Sequence, residues 1–230
     1  MKSEESCKMK QEELFLPEAG HIGTDESGKG DFFGPLVVAG FFLPEGQEGV
    51  LRELGVRDSK KLSDGRVLEI ARSLRQGYTA SVVAIGPERY NALYKNLRNL
   101  NRILAWGHAR VIENILAEVN CALAITDQFG DERFVRDALM KKGKNIKLIQ
   151  KTGAEEDLAV AAASILARAH FLYKLKDLSE EFGIELPKGA SPLVEEAGFK
   201  LVKNFGPEVL DRVAKTHFKT TEKILKLVGA

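Results

Sequence analysis

The chain has 230 residues, 44% hydrophobic and 29% charged, with a formal net charge of +1: enough for one ordinary globular core, and too balanced for the field of the whole molecule to draw in a polyanion, so any nucleic-acid site has to be a local basic patch. Its two cysteines, Cys7 and Cys121, are too far apart for a metal-ligand spacing and too few for a disulfide framework, which excludes small secreted scaffolds and makes a reducing, cytoplasmic setting the expectation. The first twenty residues mix acids and lysines without an apolar run, which excludes a signal-peptide core, and no later segment reads as a membrane span.

After that polar leader (1–20), HIGTDESGKGDFFGPLVVAGFFLPEG reads as two apolar runs around a glycine-rich turn, a β-hairpin closed by Gly46. RDSKKLSDGRVLEIARSLRQG predicts a loop, an N-cap at Ser63 or Asp64, and an amphipathic helix ending near Gly77. YTASVVAIGP is a third strand. From Pro87 to about Val119 apolar residues recur at helical spacing with a break near Asn99 to Asn101, giving two helices. CALAITD, FVRDALMKKG and NIKLIQK read as strand, short helix and strand, and the alanine-rich stretch from Ala154 to Gly183 as one long helix. The C-terminal part, 185–230, has weaker helical patterns and a lysine excess. The economical fold is α/β: a mixed five-stranded sheet flanked by helices, in one domain over 21–230 with 185–230 as a C-terminal helical extension.

Gly23 to Lys29 satisfy G-x-x-x-x-G-K, the phosphate-binding loop of nucleotide hydrolases. The match fails where it matters: Gly30 stands where Ser or Thr should hold Mg²⁺, Asp25 and Glu26 would sit in a cradle for anions, and the chain continues as strand instead of helix. Adjacent carboxylates at a strand end suit a hard cation such as Mg²⁺ or Mn²⁺, while a solvated polar turn is the plainer alternative. Asp127 closes the run ALAIT and should stand at a second strand end; Glu155, Glu156 and Asp157 precede the long helix, where acids also serve as caps and dipole partners. Brought together, these acids would support metal-assisted phosphoryl transfer.

GTDESGKGDFFGPLVVAG resembles the signature of the type 2 ribonucleases H, and its Asp-Glu-Ser-Gly-Lys-Gly form is closer to ribonuclease HIII than to ribonuclease HII. The similarity continues through DSKKL, YNALYKNLRNLNRILAWGHA, TDQF, AVAAASILAR, LPKGAS and AKTHFKTT, nearly the whole chain after residue 20. The resemblance implies a ribonuclease H-like fold and a four-carboxylate catalytic and metal site of Asp25, Glu26, Asp127 and Glu155, with Glu156 the reserve for the fourth position. It implies substrate contacts by Ser27, Gly28, Lys29 and Gly30, where small residues let backbone reach the 2′-hydroxyl that distinguishes RNA, and by Lys60, Lys61 and Arg168 on backbone phosphates. Asn99 and Asn101 are helix-break caps or minor-groove contacts, and His217 is a surface histidine or a substrate-placing one.

The implied function is endonucleolytic hydrolysis of the RNA strand of an RNA-DNA hybrid with two Mg²⁺ or Mn²⁺ ions, leaving 3′-hydroxyl and 5′-phosphate ends. No membrane and no obligate protein partner is expected, and the chain should be monomeric. Ribonuclease HIII carries an N-terminal domain resembling the TATA-binding protein; only about twenty residues precede the motif, so the expectation is a chain without that domain. The alternatives are ribonuclease HII-like cutting at single embedded ribonucleotides, a P-loop-like nucleotide hydrolase, and a non-catalytic hybrid-binding module.

Overall fold

The apolar runs on either side of the Ser27–Leu36 turn pair as the expected hairpin. In the computed structural model, which describes residues 18–229, β1 (Gly20–Ser27) and β2 (Leu36–Pro44) are antiparallel with Thr24 opposite Gly40. Cys7 and most of the leader lie outside the described residues. β3 (Ala80–Ile85) adds antiparallel to β2. On the other side of β1, β4 (Leu123–Asp127) and β5 (Lys147–Lys151) run parallel to it, so the sheet order is β3-β2-β1-β4-β5. Parallel neighbours need long crossovers, and the helices supply them.

Among the described residues the helices are α1 (Glu48–Glu53), α2 (Asp64–Gly77), α3 (Pro87–Leu97), α4 (Leu100–Ile115), α5 (Arg133–Ala138), α6 (Leu158–Phe182), α7 (Pro192–Phe205), α8 (Val209–Val213) and α9 (Lys219–Val228). Ser63 caps α2, its hydroxyl accepting from the Arg66 amide. The break between α3 and α4 falls at Arg98, which takes a left-handed φ of 47°, and at Asn99, whose side-chain oxygen accepts from the Asn101 amide at 2.9 Å. One helix, α1, was not anticipated, its six residues being too few to show a period.

Two expectations need correction. The long helix does not begin at Ala154: Ala154–Glu156 is a separate 3₁₀ turn, and Asp157 caps α6 by accepting from the amides of Ala159 and Val160. Second, α6 has 25 residues and enough apolar character to cross a membrane by length and composition, although no segment read that way in the sequence; 67% of its most apolar stretch is buried. It packs on one face of the sheet with α2 and the C-terminal helices. α4 covers the other face.

Gly23 makes that arrangement possible. A Cβ there would overlap the backbone of Ala159 and Val160, so only glycine lets the first turn of α6 lie directly on β1. The close approach brings the turn carrying Glu155 to the end of β1.

Candidate active site

β1 and β4 are parallel with Thr24 beside Thr126, so Asp25 and Asp127 each follow one residue later at the same edge of the sheet. Side chains alternate along a strand. Thr24, Glu26 and Thr126 therefore face α4, where the buried His108 sits, and Asp25 and Asp127 face the α6 side. The hydrogen bonds agree: Thr24 Oγ1 and Thr126 Oγ1 lie 2.8 and 3.2 Å from His108 Nδ1, while Asp127 Oδ1 accepts from the Ala154 amide at 3.1 Å. That last bond ties the 3₁₀ turn to the end of β4. The left-handed Gly153 (φ 68°) starts the turn, and Glu155 then points into the cleft while Glu156 is exposed outside it.

Asp25, Glu26, Asp127 and Glu155 all line one cleft of about 440 Å³, together with Ser27, Asp31, Asp58, Ser59, Lys60, Ser164, Arg168 and Lys188. The two adjacent acids differ electrostatically. Burial, reinforced by the Glu26 charge and only partly offset by Ser164 and the Glu26 amide, pushes the Asp25 carboxyl up to about 7. For Glu26, burial acts in the same direction but is outweighed by His108 and Lys29, which hold it below the usual carboxylate range; Nε2 of His108 is 3.3 Å from Glu26 Oε2, and Lys29 Nζ is 3.4 Å from Oε1.

Of the substrate residues expected from sequence, Ser27, Lys60 and Arg168 reach the cleft. Lys60 is 82% exposed and 3.8 Å from Glu155. Arg168 donates to the Ser59 carbonyl and pairs with Asp64 at 2.6 Å, and Lys188 also holds Asp64 at 2.6 Å. Gly28, Lys29 and Gly30 form the turn beside it; Gly28 needs its glycine (φ 85°, with a Cβ overlapping the Pro35 carbonyl), whereas a Cβ on Gly30 would meet nothing within 4 Å. Lys61, Asn99 and Asn101 are not among the cleft-lining residues. Lys61 pairs with Asp58 at 3.6 Å, Asn99 is the α4 cap, and Asn101 packs against Gly130. His217 stacks on Tyr94 at 4.2 Å, away from the cleft. Because the Gly23–Lys29 segment is strand through Ser27 and then turns into β2, no helix N-terminus follows it and the phosphate-loop reading falls away.

Asp31, Asp58 and Ser59 line the cleft without having been singled out in the sequence, and three further contributors escaped that reading as well. His108 and Lys188 lie inside similar strings, AWGHA and LPKGAS, but nothing local marks them. Ser164, 2.8 Å from Ser59 by its hydroxyl, looks like a small helix-packing residue. All three become visible only when distant segments meet.

Among the described residues, no three acidic, histidine or cysteine side chains are drawn together tightly enough to form a closed metal site. The donor set nevertheless fits a hard divalent cation: Asp25, Glu26, Asp127 and Glu155 are four of the six carboxylates on one cleft, and burial makes Asp25 resist ionisation.

Comparison with known proteins identifies the family and the fold. The family described as Ribonuclease HII matches residues 22–221. Ribonuclease HIII of Protochlamydia amoebophila (strain UWE25) is 47% identical over 209 residues, covering 91% of this chain and 69% of that protein. Its counterpart in Chlamydia muridarum (strain MoPn / Nigg) is 45% identical over 207 residues, with 89% and 69% covered. The crystal structure of Bst-RNase HIII in complex with Mn²⁺ superposes with a TM-score of 0.84 at 32% identity, covering 92% of this chain and 71% of that one.

Proposed function

This chain belongs to the ribonuclease HII family and, within it, to the ribonuclease HIII type, and from that premise we propose how its own residues carry out the reaction. It is a ribonuclease H, a divalent-metal-dependent endonuclease acting on RNA-DNA hybrids. In our reading the ligands are Asp25, Glu26, Asp127 and Glu155. The observation that carries this is their convergence, from three separate chain segments, on one cleft rimmed by Lys60, Arg168 and Lys188.

Two bound Mg²⁺ or Mn²⁺ ions would supply the acidification of the attacking water and the stabilisation of the departing 3′-oxygen. The residues supply the rest. Asp25 and Asp127, at neighbouring strand ends, Glu26, oriented by His108, and Glu155, on the turn tied to Asp127, would hold the ions, with Glu155 placed to help orient the attacking water. Lys60, Lys188 and Arg168 neutralise backbone phosphates without reading bases. The backbone of Gly28-Lys29-Gly30 reads the 2′-hydroxyl, the group that separates RNA from DNA; the open space over Gly30 supports this, since nothing in the fold itself asks for a glycine there. The products carry 3′-hydroxyl and 5′-phosphate ends.

The test is end-labelled cleavage of an all-RNA·DNA hybrid and of a DNA duplex with one embedded ribonucleotide, in Mg²⁺ and in Mn²⁺, by the wild type and Asp127→Asn. Hybrid cleavage that the substitution abolishes is the expected result. Efficient cutting of the single-ribonucleotide duplex would instead favour the ribonuclease HII-like alternative, and undiminished function in Asp127→Asn would leave a binding module.

A further inference from the structure

Lys215 is fully buried, an uncommon state for a lysine, because removing an ammonium from water costs several kcal/mol unless its protons find acceptors. Its acceptors are main-chain carbonyls: Nζ donates to Gly34 O at 2.6 Å and to Phe33 O at 3.3 Å. Asp31 adds only a longer-range attraction, and burial draws the amine down to about 7. The ammonium also lies 5.9 Å from the centre of the Tyr90 ring. A methionine of similar length would fill this site without the desolvation cost, so what the lysine contributes must lie in what it holds.

It holds the end of the turn that carries Gly28, Lys29 and Gly30. Around Lys215 the same turn is gripped on both sides. The Lys215 amide donates to Phe32 O at 2.8 Å, the Gly34 amide donates to Val213 O at 2.8 Å, and Phe33 and Ala214 form a one-residue antiparallel bridge. From the other side, the Phe32 amide donates to Gly189 O at 2.9 Å, and Asp31 Oδ1 accepts from the Gly189 amide at 2.6 Å. The Val213–Lys215 segment is itself moored to α3: Asn91 donates to Ala214 O at 2.9 Å and accepts from the Thr216 amide at 3.0 Å. The turn thus depends on chain more than 150 residues away (|i−j| of 181 for Lys215 and Gly34).

We propose that Lys215 is a positioning residue, a buried clamp that fixes the Gly28–Gly34 turn in the course the hybrid requires, so that the C-terminal region acts on substrate binding through this side chain as well as through Lys188. The proposal rests on the function given above, in that the turn is taken as the substrate-reading segment. Lys215 itself does not line the cleft and is hydrogen-bonded to none of the four proposed ligands, although Asp31, beside the clamp, does line it. Losing it should weaken engagement of the hybrid and leave the chemical step largely intact.

The test uses the full chain with Lys215→Met and Lys215→Gln, the second keeping a neutral donor for the carbonyls. Metal-free protein is followed by amide hydrogen exchange. In Lys215→Met, exchange across Gly30–Gly34 should accelerate about tenfold while β1 and β4 keep their protection, the pattern of local and not global opening. The KM for an RNA-DNA hybrid should rise about tenfold with kcat changed less than about threefold, a split that a general loss of stability does not give. Lys215→Gln should recover part of both. Unchanged protection of the turn in a folded variant would overturn the clamp, as would uniform loss of protection through the sheet or failure of both variants to fold, either of which makes Lys215 a general core residue. A wild type that cleaves no hybrid would sink the function proposed above, while the exchange comparison would still decide the clamp.

Discussion

His108 Nε2 lies 3.3 Å from Glu26 Oε2, and Nδ1 of the same ring lies 2.8 Å from Thr24 Oγ1. With the proton on Nε2, the ring donates to the carboxylate and accepts from the threonine hydroxyl, so a buried chain of hydrogen bonds fixes the direction of Glu26. Phe129 stacks on the ring at 5.0 Å and holds its plane. A residue that orients a metal ligand in this way commonly governs about 10–100-fold in metal affinity or activity. His108→Phe should therefore lower hybrid cleavage by about that factor and shift the metal dependence to higher concentration, whereas His108→Gln, which can still donate, should lose less. Metal titrations of the initial rate check this; identical titration curves for all three proteins would remove His108 from the site.

Glu155 lines the cleft and Glu156 is exposed outside it. Glu155→Gln should cut kcat by at least about a hundredfold, the loss of a group acting in the transition state, while Glu156→Gln should remain near wild type. Single-turnover cleavage of a hybrid by both variants distinguishes them. The reverse ranking would transfer the fourth ligand to Glu156.

Asp25 is raised to about 7 by burial and by Glu26 from an ordinary value of 3.8. Below about pH 4 it is protonated folded and unfolded, and has no effect. As pH climbs towards 7 the unfolded chain releases the proton while the folded chain keeps it, so the contribution of Asp25 to stability falls across that window and stays unfavourable above it. In EDTA, Asp25→Asn should match the wild type near pH 4 and exceed it at pH 8 by on the order of 1–3 kcal/mol, while abolishing cleavage. Adding Mn²⁺ at pH 8 should raise the melting temperature of the wild type and not that of Asp25→Asn. Melting curves at several pH values supply the answer, and a variant less stable at pH 8 than at pH 4 relative to wild type would reverse the sign.

Gly23 and Gly30 stand in one motif for different reasons. A side chain at 23 would overlap the backbone of α6, whereas one at 30 would meet open space. Gly23→Ala should lose about 3 kcal/mol or more, since a packed helix has to move off the strand. Gly30→Ala should melt within about 0.5 kcal/mol of wild type yet bind the hybrid more weakly, the added methyl standing where nucleic acid approaches. Denaturant melts and hybrid binding, measured side by side, separate fold from function; equal destabilisation by the two substitutions would contradict the assignment.

Much of the fold was legible in the chain. Short apolar runs bounded by turn residues gave the strands, the Ser63 cap gave the start of α2, and Asn99 marked the break between α3 and α4, because each of these depends on interactions within a few residues. Where the reading slipped, the cause was tertiary. Ala154–Glu156 continues a helical pattern in sequence, yet it is a 3₁₀ turn bonded to Asp127 on another strand. The apolar length of α6 would suit a membrane, and its burial against β1 and β2 decides otherwise.

For the site, the sequence by itself determined which residue types were available: an Asp-Glu pair after a strand, an aspartate ending another, two glutamates before a helix, and lysines in glycine-rich turns. Only the tertiary structure decided which of them share a cleft. It turned Glu155 inward and left Glu156 outside, kept Lys61, Asn99 and Asn101 off the cleft lining, and added His108 and Lys188. The physical reason is range. Caps and turns act over a few residues and are written locally, whereas the field at a carboxylate depends on every charge and hydroxyl within several ångströms, some of which arrive from distant segments, as His108 reaches Glu26 across 82 residues; the turn beside the cleft is likewise held by Lys215, 181 residues beyond Gly34.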